Sequence, residues 1–184
     1  VLNSYWLMIH VSIITASYGF LSLGAILGLQ SLLLIIFTSK KNKNQLKRLI
    51  HELTFINEKA LTIGLFMLTI GTFLGGVWAN ESWGRYWGWD PKETWALVSV
   101  LVYVFILHMR LIPGLSDIYK FNLASLIGIS SIIMTYFGVN YYLSGLHSYA
   151  AGDPIPIPIF IYYFISIIII TAILAKIKFH KHYT

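Results

Sequence analysis

Five stretches of about twenty mostly apolar residues follow one another along this 184-residue chain, and about twenty is what an α-helix needs to cross a bilayer. They fall at about 6–37, 60–77, 91–111, 121–141 and 158–175. The expected fold is an all-α integral membrane protein of about five transmembrane helices, forming a single domain over 1–184. Composition agrees: 57% hydrophobic, 11% charged and a mean hydropathy of +0.73 set the chain apart from soluble domains. Cysteine is absent, which excludes disulfides, thiolate nucleophiles and Cys metal ligands. Six histidines remain as nitrogen donors. Gly19, Gly24 and Gly28 in the first stretch, and Gly71, Gly75 and Gly76 in the second, are expected to permit close helix contacts. The chain opens on Val1 without a signal-peptide pattern and reads as a piece of a longer protein.

The cations set an expected orientation. Lys40, Lys41, Lys43, Lys47, Arg48, Lys59, Arg110, Lys120, Lys176, Lys178 and Lys181 share one side if five helices alternate, and only Arg85 and Lys92 fall on the other. The positive-inside rule makes the basic side cytoplasmic. A tryptophan-rich loop at 78–90 and the segment 143–158 then face outward. The net charge of +6 is accordingly a topology signal and not a nucleic-acid surface.

Between the second and third apolar stretches, Trp78, Trp83, Trp87, Trp89 and Trp95 crowd into eighteen residues. Single Trp and Tyr residues anchor helices at membrane boundaries. Indoles at this density, spaced by glycines, suit a platform for a large flat apolar ligand, and a porphyrin is the obvious one. His10, at the start of the first helix, and His147, in the second outward segment, lie on the same side as Trp83, Trp87 and Trp89. Neutral imidazole is an axial ligand of haem iron, so two histidines flanking that platform can clamp a haem. Each of them alone also fits an amphipathic interfacial residue.

His108 is different, lying seventeen residues beyond Pro91, about 25 Å along the third helix. That depth is the inner half of the bilayer, where ionisable side chains are costly and mark function; the alternative is snorkelling beside Arg110. His51, His180 and His182 fall in polar cytoplasmic segments and read as solvated. Asp90-Pro91-Lys92-Glu93 is a helix start, with Asp90 at the N-cap, Pro91 at the first position and Glu93 at the third. Capping alone accounts for Asp90, and any role toward a ligand is additional. Arg85 and Lys92 suit haem propionates or lipid phosphate. The prolines at 154, 156 and 158 stiffen the re-entry into the fifth helix.

The run Trp83-Gly-Arg-Tyr-Trp87-Gly-Trp89-Asp90-Pro-Lys-Glu resembles the tryptophan-rich WWD motif of haem-handling membrane proteins. Its continuation Pro91-Lys-Glu-Thr-Trp95, with Tyr136-Phe-Gly-Val-Asn140 and Gly145-Leu-His147-Ser-Tyr, resembles the CcsA (also ResC) branch of System II cytochrome c biogenesis. That resemblance implies that His10 and His147 are external axial ligands of haem b. It implies that His108 holds haem earlier, together with a ligand from a CcsB/ResB-like partner or fused domain. It further implies haem delivery for covalent attachment to the Cys-x-x-Cys-His segment of apocytochrome c, within a holocytochrome c synthase. A thiol-reducing, thioredoxin-like protein would keep the apocytochrome cysteines reduced. This chain would add no covalent catalyst of its own, and would position haem.

Three rivals stay open at this point. CcmC-like proteins pass haem to a chaperone instead; the Pro91-Lys-Glu-Thr continuation and the position of His108 argue against that branch. A transporter, a quinone-binding subunit or a cofactor-free scaffold would use the tryptophans only as anchors.

Overall fold

Lipid offers no water to backbone N–H and C=O groups, so apolar runs of this length become helices that satisfy those groups internally. A computed structural model of the chain describes residues 4–146 and 156–183. Among them are α1 (Tyr5–Ile36), α2 (Lys43–Trp83), α3 (Pro91–His108), α4 (Ile118–Ile133), α5 (Val139–Tyr142) and α6 (Ile159–Tyr183). A 3-10 turn, Met109–Leu111, extends α3, and a π turn, Met134–Gly138, joins α4 to α5. With those pieces joined, the described residues hold five helical segments long and apolar enough to cross a membrane, as the apolar runs predict.

Three boundaries differ clearly from expectation: α6 runs on to Tyr183 instead of ending near 175, and both ends of α2 are extended. Its 41 residues extend about 60 Å, against a hydrocarbon core of about 30 Å. The polar stretch from 43 to 59, expected as a connection, is helical: it lacks Gly and Pro, and Leu46 and Ile50, one turn apart, pack with Leu32 and Ile35 of α1. At the other end, residues 78–83 continue the helix, so the tryptophan-rich loop expected over 78–90 begins only at Gly84. Gly84 ends α2 at φ 70°, its N–H donating to the Asn80 carbonyl at 2.8 Å, as a left-handed glycine after a helix does.

Helices α1 and α2 lie antiparallel along one seam. Gly24 meets Leu61, Leu21 meets Gly64, Ile14 meets Gly71 and His10 meets Gly75; Ser4 Oγ donates to Glu81 at 2.6 Å. Each step back along α1 equals a step forward along α2, in intervals of three, four and seven, which is heptad-like packing. One of these glycines lies on α1 and three on α2, and each is a notch that takes a large side chain from the helix opposite. Gly19 does not take part, with nothing within 4 Å of where a Cβ would stand. It lies off the stripe formed by 10, 14, 21 and 24, and is exposed.

Helix α4 packs on the same pair through a buried polar node. Asn57 Nδ2 donates to Asn122 Oδ1 at 3.2 Å and to Ser125 Oγ at 3.0 Å, and Ser125 Oγ reaches the Gly24 carbonyl at 3.0 Å. Such bonds between membrane helices contribute about 0.6 kcal/mol each. Gly28 admits the Asn122 backbone: a Cβ there would stand 2.6 Å from its carbonyl oxygen. Helix α3 closes against α4, where Gly128 takes Ile106. Helix α6 is outermost, held by Tyr119 Oη donating to the Ala172 carbonyl at 3.0 Å and by Thr38 against Tyr183 at 3.1 Å.

The seam and the short connections collect the starts of α1, α3 and α6 with the ends of α2 and α5 at one end of the bundle, hereafter the tryptophan end. The opposite, lysine end holds the α1–α2 turn and the end of α6. There α3 stops level with Glu58, which pairs with Arg110 at 2.5 Å.

Candidate functional site

At the tryptophan end the chain must turn from α2 into α3 within residues 84–90, and the turn is tied down by carboxylates. Glu93 Oε2 accepts from the N–H groups of Gly88 (2.7 Å) and Asp90 (3.2 Å). Asp90 accepts from the Lys92 N–H at 3.1 Å and from the Glu93 N–H, the latter forming a capping box with the Glu93 carboxylate, and Pro91 stands at the first helical position. The loop folds back onto α2 where Gly76 faces the Tyr86 carbonyl. Trp89 is held at φ 57°, the one non-glycine residue with positive φ among those described. A left-handed tryptophan costs about 1–2 kcal/mol, and such strain collects at functional sites.

Beneath this loop is a cleft of about 100 Å³, about three water volumes. Helix α1 supplies His10, Ile14 and Tyr18; α2 supplies Thr72, Gly75, Gly76 and Trp78. The loop contributes Tyr86 and Trp87, α3 contributes Lys92, Glu93 and Ala96, and the π turn contributes Thr135. Thr135 reaches across to α3, with its hydroxyl 3.1 Å from the Trp95 carbonyl and 3.0 Å from Ser99 Oγ. Lys92 Nζ donates to Asn140 Oδ1 at 3.0 Å, which keeps its ammonium at the cleft instead of in solvent.

His10 is half-buried, with Nδ1 2.7 Å from the Gly71 carbonyl. A carbonyl only accepts, so in the neutral ring Nδ1 carries the proton and Nε2 the lone pair. That is how metal-binding histidines are commonly fixed. The tryptophans form two edge-to-face pairs and not one flat sheet. Trp78 and Trp83 have ring centres 4.8 Å apart at 68°, and Trp87 and Trp89 are 5.8 Å apart at 90°. Trp78 and Trp87 line the cleft, Trp83 backs Trp78, and Trp89 is 71% exposed beside Trp87.

Asp90 does more than cap. Its carboxylate is 6% exposed, and its second oxygen accepts from the Leu146 N–H at 2.6 Å. The segment after α5 is thereby docked on the start of α3, and Gly145 packs directly against Asp90 and Pro91. His147 itself lies outside the described residues. His108 is not at this site: it ends α3, exposed, with Nδ1 2.7 Å from the Val104 carbonyl of its own helix. The unbroken helix from Pro91 puts it about 25 Å from the tryptophan end. Arg85 does not line the cleft and folds over Gly88.

Tyr18, Tyr86 and Thr135 were not among the residues the sequence singled out, and Trp78 was marked only as a member of the tryptophan cluster. Ile14 and Tyr18 stand one and two turns beyond His10, a spacing that puts them on its face. Thr135 gave no signal, because the π turn that rotates it inward has no local sequence mark. An imidazole, indole and phenol rings, one ammonium and the Glu93 carboxylate line the cleft, a donor set that fits an iron macrocycle. The notch admits part of such a ring, and the remainder would lie in the open mouth beside the loop.

The family model described as cytochrome c assembly protein matches residues 1–147. Protein NrfI of Wolinella succinogenes is 59% identical over 157 residues, which is 85% of this chain and 17% of that protein. The cytochrome c biogenesis protein CcsA of Chlamydomonas reinhardtii is 42% identical over 149 residues, 80% of this chain and 41% of its own length. CcsA of Prochlorococcus marinus is 36% identical over 177 residues, 80% of this chain and 55% of its own. The chain thus spans from 17% to 55% of the length of these curated relatives. With most of its length matched and its relatives so named, the chain belongs to the cytochrome c assembly protein family, on its CcsA branch.

Proposed function

We propose that this chain holds haem b at its tryptophan end and presents it for covalent attachment to apocytochrome c, as part of a CcsB–CcsA-type cytochrome c synthase. The single observation that carries this reading is His10, its Nδ1 committed to the Gly71 carbonyl, set in a cleft with Trp78 and Trp87. His10 supplies one axial nitrogen. His147 would supply the other; the chain just before it is held to the start of α3 by the Leu146 N–H bond to Asp90. Trp87 and Trp89 meet the macrocycle face or edge, with Trp83 supporting Trp78 from behind. Lys92 offers an ammonium to a propionate, and Arg85 can do so from the loop.

The excess of lysine and arginine at the opposite end supports an outward tryptophan end, in a bacterial inner membrane or a thylakoid membrane. Haem would then start from the lysine side. His108, exposed on the bundle, is available there to share iron with a ligand from a CcsB/ResB-like partner or fused domain. At the outer site the Cys-x-x-Cys-His segment of apocytochrome c, kept reduced by a thioredoxin-like protein, meets the haem vinyls. Each thioether forms as a thiol adds across a vinyl, sulfur to one carbon and hydrogen to the other. The chain contributes orientation and exclusion of water to this step, not a covalent nucleophile.

The test is maturation of a reporter cytochrome c in cells that carry the full-length protein with its partner. His10→Ala is expected to abolish haem-stained reporter, and added imidazole to restore it. Full maturation by His10→Ala and by His147→Ala, from a wild type that purifies without haem, would return the reading to a transporter or scaffold. Recovery of a haem chaperone in place of a CcsB-like protein would favour CcmC-like haem transfer.

A further inference from the structure

The reading of His10 as a ligand leaves open what holds its ring in a binding geometry, since α1 alone leaves the imidazole free to rotate. Helix α2 answers this with backbone. Gly71 and Gly75 stand one turn apart, and the ring lies against that turn. The Gly71 carbonyl takes the Nδ1 proton at 2.7 Å. A Cβ at Gly75 would stand 2.6 Å from His10 Cε1, 2.9 Å from Nδ1 and 3.3 Å from Nε2. Only a residue without a side chain allows the ring edge that bears both nitrogens to come this close.

We infer that Gly75 is a positioning residue, which, with the Gly71 carbonyl, seats His10 and aims Nε2 into the cleft. The inference rests on the ligand role of His10 and deepens it. Two features separate this seat from ordinary helix packing. The three atoms nearest a methyl at Gly75 belong to the imidazole, the far end of a side chain, so the ring gives way before the backbone does. At Gly64, on the same seam, a Cβ would first meet Leu21 Cδ2 at 2.7 Å, and at Gly71 it would first meet Ile14 Cδ1 at 2.6 Å. Gly75 is therefore the notch whose filling displaces the donor nitrogen. Loss of such outer support to a ligand weakens metal binding by about 10–100-fold.

The experiment compares visible spectra and haem content of the full-length protein, purified with its partner, as wild type, Gly75→Ala, Gly64→Ala and His10→Ala. Gly75→Ala is expected to lose haem or turn five-coordinate, and to recover six-coordinate haem when imidazole is added. Gly64→Ala is expected to keep the wild-type spectrum. If Gly75→Ala accumulates poorly, the double variant His10→Ala/Gly75→Ala should restore its yield, because the methyl then fills space vacated by the ring. A wild-type spectrum for Gly75→Ala beside an altered His10→Ala would overturn the seat and leave the ligand reading intact. Equal losses in Gly64→Ala and Gly75→Ala, neither rescued by imidazole, would also overturn it, in favour of plain helix spacing. An unchanged His10→Ala would instead remove the ligand reading on which the seat depends.

Discussion

Replacing Asp90 with alanine removes hydrogen bonds that act on two different elements. The bond from the Lys92 N–H at 3.1 Å caps α3, and losing such a cap costs about 1 kcal/mol. The bond from the Leu146 N–H at 2.6 Å docks the segment that leads into His147. A buried carboxylate acceptor of this kind contributes about 1.5–3 kcal/mol. Taking about 2 kcal/mol for that bond, the equilibrium between docked and released segment shifts about 30-fold. Asp90→Ala should therefore lower the melting temperature modestly, by the cap, and lower haem retention strongly, by the segment. Asp90→Asn keeps an acceptor and a good cap but loses the charge that roughly doubles bond strength, so it should fall between wild type and alanine in haem retention while melting close to wild type. The assay pairs thermal unfolding in detergent with haem-to-protein ratio and hydrogen exchange over 143–146. Wild-type haem content and unchanged exchange in Asp90→Ala would refute the reasoning and reduce Asp90 to a helix cap.

Three further outcomes follow from particular contacts. Trp89→Gly should leave thermal stability equal or up to about 1 kcal/mol higher, because glycine adopts the positive φ of 57° without strain, while haem retention falls; a loss of both would show that the indole holds the loop together. Gly28→Ala, forced against the Asn122 carbonyl oxygen at 2.6 Å, should cost about 1–3 kcal/mol in detergent unfolding, and a neutral result would mean that α1 and α4 separate readily. His108→Ala should leave the absorption spectrum of the tryptophan-end site unchanged and lower reporter cytochrome output severalfold; full output would remove His108 from the haem route.

The helices were legible because apolar runs of membrane length leave the backbone no other form, and the α3 start was legible because Asp90, Pro91 and Glu93 each sit at a capping position. The length of α2 was not. Its lysines and arginine between 43 and 59 read as a connection, whereas Leu46 and Ile50 continue the stripe that packs on α1. Likewise Trp78 and Trp83 read as loop by their neighbours, but no helix breaker stands before Gly84. Gly19 looked like Gly24 and Gly28 in sequence, and only the seam between α1 and α2 distinguishes them. Within the site, the sequence pointed to His10 and to the tryptophans by residue type. It could not show which indoles line the cleft, because the edge-to-face pairing depends on where the loop folds back on Gly76. The second bond of Asp90 joins residues 56 apart, a contact no local pattern carries.

The most direct test of haem ligation at the tryptophan end is the visible absorption spectrum of the full-length protein, purified with its membrane partner, as wild type and as His10→Ala. The account predicts six-coordinate, low-spin haem in the wild type. It predicts a five-coordinate or haem-free His10→Ala that returns to six-coordinate with imidazole. A His10→Ala protein with the wild-type spectrum would contradict it.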